Sequence, residues 1–208
     1  MYEYPKAEDI TDAQKSYIAG YLDDFETALL QDDFGAGERS YANYIDIGSF
    51  VDYFLINELG RNVDAYRIST FLVKDRDGKL AMGPVWDFNI GFDEGGRIPM
   101  DDWVINYNNY VNQDAWMMPF WWKRLMEDPQ FRSELKSRWT ELRANTLSTS
   151  KVLELTTNTA NYLTVNNAII RNYTKWTGIN YNYNNSVTDL KTYLTNRLAW
   201  MDSKISAF

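Results

Sequence analysis

The chain has 208 residues, with 21 Lys and Arg against 29 Asp and Glu, a formal charge of −8, and neither cysteine nor histidine. Those absences exclude thiol nucleophiles, disulfides, Ser-His-Asp triads and zinc sites built on His or Cys, so any catalysis rests on Asp, Glu, Lys, Arg, Tyr or Ser. The acidic balance and the scatter of the basic residues argue against a nucleic-acid surface, because phosphate backbones are met by clustered Lys and Arg.

In chain order, residues 11–31 read as a helix, with Ile18, Tyr21, Leu22, Phe25 and Leu29 on one face and Thr11 or Asp12 as its cap. Residues 32–37 break it. A second helix is expected from about Ser49 to Leu59, with Phe50, Phe54, Leu55 and Glu58 along one side and Gly60 as its stop. Two runs rich in β-formers follow, residues 68–73 and 79–85, separated by the turn signal Asp75-Arg76-Asp77-Gly78. Residues 91–112 read as a long polar loop, of a length more often functional than merely connecting. Helices are then expected over 115–126 and 130–147, with Pro129 in the first turn of the second. Another is expected over 152–176, burying Leu155, Tyr162, Ile169 and Tyr173. A Gly/Asn/Tyr loop spans 177–185, and Ser186 caps a final helix in which Leu190, Tyr193, Leu194, Arg197, Met201 and Ile205 recur.

The sum is an α+β chain, mostly α, with one small β-hairpin and length enough for one substantial core, read as a single domain over 1–208. No stretch is apolar enough to span a membrane, and residues 1–5 do not form a signal peptide. The absence of cysteine is compatible with a bacterial envelope or secreted location. Eight Trp and fifteen Tyr suit a helical core, or a sugar-binding platform.

The chemistry is expected around the hairpin. Asp64 precedes it, and Asp87 follows it in Gly83-Pro84-Val85-Trp86-Asp87-Phe88-Asn89. If the two runs pair antiparallel, both carboxylates leave the same end of the ribbon. Two carboxylates in one small site suit a divalent metal and the acceptance of a hydroxyl proton, the minimum for phosphoryl transfer. The bland alternatives are a cap or Asx-turn at Asp64 and backbone anchoring by Asp87. Arg67 is positioned to neutralise one of the pair, and Trp86 reads either as core packing or as a base-stacking surface.

An ordered set of motifs supports this placement. It comprises Tyr4-Pro5, Ile10-Thr11-x-x-Gln14-x-x-Tyr17-Ile18, Ile45-Asp46-x-x-Ser49-Phe50-Val51-Asp52 and Glu58-Leu59-x-x-Asn62-Val63-Asp64. It continues with Ser69-Thr70-Phe71-x-x-Lys74-Asp75-x-Asp77-Gly78-Lys79-Leu80, Gly83-Pro84-Val85-Trp86-Asp87-Phe88, Asp128-Pro129-x-Phe131, Arg138-Trp139 and Asn196-Arg197-x-x-Trp200-Met201. Together these resemble the CotH family of spore-coat-type atypical protein kinases over nearly the whole chain. The resemblance implies the helical C-terminal lobe of an atypical kinase fold, with Asp64 as the catalytic aspartate and Asp87 as the metal-binding aspartate. It implies ATP as substrate with Mg2+ or Mn2+, since hard oxygen ligands and a polyphosphate favour those ions. Ser69, Trp86 and Asn89 are the further nucleotide-side candidates.

Two positions depart from the pattern. Kinases carry a metal-binding Asn five residues after the catalytic Asp, and here that residue is Ser69. Many family members have Trp-Asp-x-Asp where this chain has Asn89, which retains a carbonyl for coordination but loses a charge. Upstream of Asp64 the only lysines are Lys6 and Lys15, and Gly35-Ala36-Gly37 is too short for a phosphate loop. The expectation is therefore a C-terminal fragment or truncated relative, inactive alone, whose parent transfers phosphate to Ser or Thr of an extracytoplasmic or surface protein. The competing reading is a non-catalytic pseudokinase or surface glycan- or protein-binding module. A glycosidase using Asp93-Glu94 or Asp101-Asp102 is weaker, since nothing marks a raised-pKa acid in an apolar pocket.

Overall fold

The computed structural model describes residues 2–38, 40–92, 96–178 and 182–208. Its helices are α1 (Asp12–Leu30), α2 (Ile47–Gly60), α3 (Trp121–Leu125), α4 (Pro129–Ala144), α5 (Thr149–Val165), α6 (Ala168–Lys175) and α7 (Tyr183–Ser206). Between α2 and α3 lies one antiparallel hairpin of β1 (Leu72–Lys74) and β2 (Leu80–Met82), in the register 72 to 82, 73 to 81 and 74 to 80. This is a mostly α member of the α+β class. Among the described residues no helix is long and apolar enough to cross a membrane.

The N-terminus of α1 is closed by a capping box. The Thr11 hydroxyl accepts from the Gln14 amide at 3.3 Å, and the Gln14 side chain accepts from the Thr11 amide at 2.8 Å. Phe25, Ala28 and Leu29 are its buried positions. α2 is almost wholly buried along its second half, and its Phe50, Tyr53 and Phe54 gather around Trp122 with Tyr66. One buried cluster extends through α1, α2, the hairpin, α3, α4 and α7. The hairpin is moored to the start of α2: the Leu80 amide donates to Tyr44 O and the Asp46 amide to Leu80 O, both at 2.8 Å.

Several expectations from the sequence need correction. Gly60 does not stop α2. It is the last helical residue, and Arg61 takes the left-handed turn at φ 47°. Residues 91–112 are not merely a polar loop: they include a 3-10 helix, Val104–Asn109, with Ile98, Val104, Ile105 and Tyr107 buried. The helix expected over 115–126 shrinks to Trp121–Leu125, because Pro119 lacks the amide an interior turn needs and biases Met118 to extended backbone. The expected helix over 152–176 is two, α5 and α6, broken where Asn167 adopts φ 56°. α5 packs on α7 through the other side, so Leu155 and Tyr162 are exposed rather than buried. The final helix begins earlier than Ser186, capped by the Asn182 side chain on the Asn185 amide at 3.1 Å.

Candidate active site around Asp64 and Asp87

Arg61 turns the chain out of α2, and the Asn62 amide returns to Asn57 O at 3.0 Å. Residues 64–69 then close one broad turn in which Asp64 O accepts from the amides of Ile68 and Ser69, at 3.0 and 2.9 Å. Its underside is fixed by two buried tyrosines: Tyr53 donates to Ala65 O at 2.5 Å, and Tyr66 reaches Phe54 O and the Glu58 carboxylate. The turn's geometry is therefore set by the core, while the Asp64 side chain stays partly open, 18 % exposed.

Past the hairpin, the Gly83 amide donates to Phe71 O at 2.7 Å, which carries the pairing one step toward Asp87. The 87–92 loop is seated on the C-terminal end of α2. A Cβ at Gly60 would lie 2.6 Å from Phe88 Cε1, so only glycine admits that ring, and the Phe92 amide donates to Gly60 O at 2.6 Å. Asp87 itself has φ 59°, a conformation uncommon for a residue with a side chain and maintained here by its surroundings.

Two side chains join the halves. Asn62, fully buried, accepts from the Asp64 amide at 3.3 Å through Oδ1 and donates through Nδ2 to the carbonyls of Trp86 and Asp87, at 3.4 and 3.2 Å. Ser69, 7 % exposed, gives its amide to Asp64 O and its hydroxyl to Asp87 Oδ2 at 3.1 Å. The two aspartates thus leave the same end of the ribbon on backbones tied through single residues. Their carboxylates have different neighbours. Asp87 is exposed beside Ser69, whereas Asp64 Oδ1 accepts from Arg67 at 2.6 Å and faces a cleft of about 540 Å3.

That cleft is lined by charged groups of both signs, Asp64, Arg67, Arg97 and Asp114, with Tyr107 and Trp116 among its other walls. Arg67, its side chain only 4 % exposed, spans Asp64 and Asp114, the latter at 2.9 Å. The amide of Trp116 and the hydroxyl of Tyr107 both donate to Asp114, and together with Arg67 they hold its carboxyl below the usual carboxylate range. Burial, reinforced by that bond to Asp114, raises the Tyr107 hydroxyl. A second cleft, about 440 Å3, between α2, β2 and α4 is mainly apolar, with Tyr53, Ile56, Met82 and Leu142 among its walls.

Of the other candidates, Trp86 is not core. It is 48 % exposed and leans on Phe71 with ring centroids 5.4 Å apart. Asn89 is exposed two residues beyond Asp87, in the turn where the Gly91 amide meets Phe88 O. Asp93 and Glu94 lie outside the described residues. Asp102 does not suit a proton-donating acid: burial acts to raise its carboxyl, but Tyr110, Asn106 and the Trp103 amide donate to it and leave it lowered. Sequence reasoning missed Asn62, Arg97 and Asp114. The Asn62-x-Asp64 and Asp114-x-Trp116 spacings of Asx-turns carried a local signal, and Arg97 had none.

Among the described residues no three acidic side chains converge into a cage for a cation. The donor set is one exposed carboxylate, Asp87, with the Ser69 hydroxyl and the Asn89 amide nearby in the chain. Such a set fits magnesium or manganese that takes most of its ligands from nucleotide phosphates and water, rather than from a dedicated protein shell.

The chain matches the family model described as CotH kinase protein over residues 1–201. No curated protein and no solved structure matches it. With that match spanning all but the last seven of the 208 residues, the chain belongs to the CotH kinase protein family.

Proposed function

We propose that the chain carries the acid pair of a kinase-like phosphotransferase that moves the γ-phosphoryl of ATP to a Ser or Thr hydroxyl of an extracytoplasmic or surface protein. The observation that carries the reading is the stapling of Asp87 by Asn62 and Ser69 to the turn of Asp64, which lines a charged cleft. In this reading residues 1–208 act as one helical-lobe domain.

Asp64 is the proton acceptor. The acceptor oxygen forms a bond to the γ-phosphorus as the bond to the β,γ-bridging oxygen breaks, the electron pair leaves with ADP, and the hydroxyl proton passes to Asp64. Arg67 holds the carboxylate by Oδ1 in one orientation. Asp87, oriented by Ser69 and flanked by Asn89, would hold Mg2+ or Mn2+, which when bound neutralises the phosphates. Trp86, exposed immediately before Asp87, offers an aromatic surface to the nucleotide.

Replacing Asp64 with Asn keeps the shape and removes the proton acceptor. Transfer by the natural full-length protein is expected to fall by about two to four orders of magnitude. Its melting temperature should change little, because Arg67 retains Asp114 and Trp116 O. Asp87→Asn should instead weaken metal and nucleotide together. Radiolabel transfer with wild-type and Asp64→Asn protein, beside their melts, decides it; equal labelling sinks the proposal. The exposure of Trp86 and Trp116, 48 % and 63 %, favours a second reading, a surface-binding module. A wild type that labels nothing yet retains a glycan or protein ligand would establish that reading instead.

A further inference from the structure

The cleft's four charged groups are not equally free to act. Arg67 donates from Nε to Val63 O, from one terminal nitrogen to Asp114 and Trp116 O, and from the other to Asp64, while its plane sits 4.5 Å over the Tyr107 ring. It cannot turn to a ligand without breaking this set. Asp114 is likewise committed, to Arg67, Tyr107 and the Trp116 amide. The groups left for chemistry are Asp64 and Arg97.

Arg97 is 44 % exposed along its side chain, and its guanidinium stands 4.0 Å from Asp64 Oδ1. That is beyond hydrogen-bond length, so the pair is loose and cheap to redirect. The backbone that follows it is nonetheless held. Arg61 donates to Ile98 O at 2.6 Å and to Pro99 O at 3.1 Å, and Ile98 is buried. Arg97 is thus an exposed cation next to anchored backbone, leaning toward the carboxylate from a different wall than Arg67.

We propose that Arg97 is a catalytic residue that takes up the negative charge of the phosphoryl group during transfer; this role rests on the proposed function. An acceptor hydroxyl held by Asp64 lies about 2.6–3.2 Å from it, and the phosphorus stands about 3–3.5 Å farther on. A guanidinium 4.0 Å from the same carboxylate, on a flexible stem, reaches the equatorial oxygens of a group in that position. Its planar fork matches two of those oxygens at once. The cleft then serves both products of the step: Asp64 receives the proton, and Arg97 offsets the charge spread over the departing phosphoryl oxygens.

The test uses the natural full-length protein, Mg2+ and ATP, with its own serines or dephosphorylated casein as acceptor. Arg97→Gln, Arg97→Lys and Arg97→Ala are compared with wild type for kcat, for KM of ATP and for melting temperature. The expected result is a fall in kcat of about 10²–10³ in Arg97→Gln with KM for ATP nearly unchanged. Arg97→Lys should recover part of the loss, and added guanidinium should rescue Arg97→Ala, which a merely structural role would not allow. Unchanged kcat in Arg97→Gln, or a rise in KM alone, overturns the role and leaves the proposed function standing. A wild type that transfers nothing overturns the proposed function, and this role with it.

Discussion

Asn62 decides how closely the two aspartates are coupled. It is fully buried, and its amide serves three backbone groups at once, so neither truncation nor ionisation is neutral there. Asn62→Asp would place a carboxylate against the Trp86 and Asp87 carbonyls, where no hydrogen remains to donate. Each unsatisfied buried group costs about 1–3 kcal/mol, so Asn62→Ala and Asn62→Asp should both lower the melting temperature, the second more. Transfer should fall by at least about tenfold in either, since an aspartate displaced by 1 Å loses its reach. Wild-type melting with full transfer would show that the staple does nothing. At this scale the sequence placed Asp64 and Asp87 at one end of the hairpin, because a turn signal between two β-forming runs fixes which residues share an end. It did not reveal the reach of Asn62 to Trp86 and Asp87, of Asp114 to Arg67 or of Arg97 to Asp64, contacts that only tertiary closure makes.

Among elements, α2 is the one on which the site is hung. Its last residue, Gly60, packs against the Phe88 ring, and the carbonyl of Gly60 receives the Phe92 amide. Gly60→Ala would ordinarily favour a helix by about 1 kcal/mol. Here the added methyl meets Phe88 at 2.6 Å, and overpacking of that kind typically costs about 1–3 kcal/mol. The variant should therefore unfold at lower urea and exchange its Phe92 amide hydrogen faster. Stability at or above wild type would mean that the 87–92 loop yields without cost. The same glycine explains one limit of sequence reading: glycine after a helical run suggests a stop, yet this one is present for close approach, and Arg61 makes the left-handed turn. α1 and the latter half of α7 were legible because their apolar spacing coincides with burial. α5 was not, since Leu155 and Tyr162 are exposed while Val152 packs on the core, and period alone does not say which face finds a partner.

At the scale of the whole molecule, the buried pair of Glu58 and Arg197 joins the helix before the site to the helix that ends the chain. Their side chains are 0 % and 1 % exposed and 3.2 Å apart. Burial pushes the Glu58 carboxyl up to about 7, while Arg197 and the amides of Val104 and Ile105 act the other way by favouring the ionised form. Arg197 also donates to Met100 O and Asp102 O and lies 4.0 Å over the Trp200 ring. Glu58→Gln strands a buried cation, a change that typically costs about 3–5 kcal/mol. Arg197→Met in the same chain should return part of that loss, giving a non-additive cycle by urea unfolding. Additive losses would show that the two residues act separately. The mostly helical class with one hairpin was legible from periodicity and turn signals. This closure was not, because the pair is 139 positions apart along the chain.

The left-handed residue that ends α2 has a consequence beyond turning the chain. By reversing there, Arg61 sends its backbone toward the aspartates and its side chain the opposite way, to the carbonyls of Ile98, Pro99 and Asp102. One residue is therefore the pivot between two arms of the cleft. The arm bearing Asp64 and Asp87 closes locally, over the 25 positions from Asn62 to Asp87, whereas the segment after Arg97 is held from α7 through Met100 O. Substitutions in α7 should accordingly disturb both arms together, because Arg197 and Tyr193 also hold Glu58 O and Leu59 O at the end of α2, on which the 87–92 loop is seated.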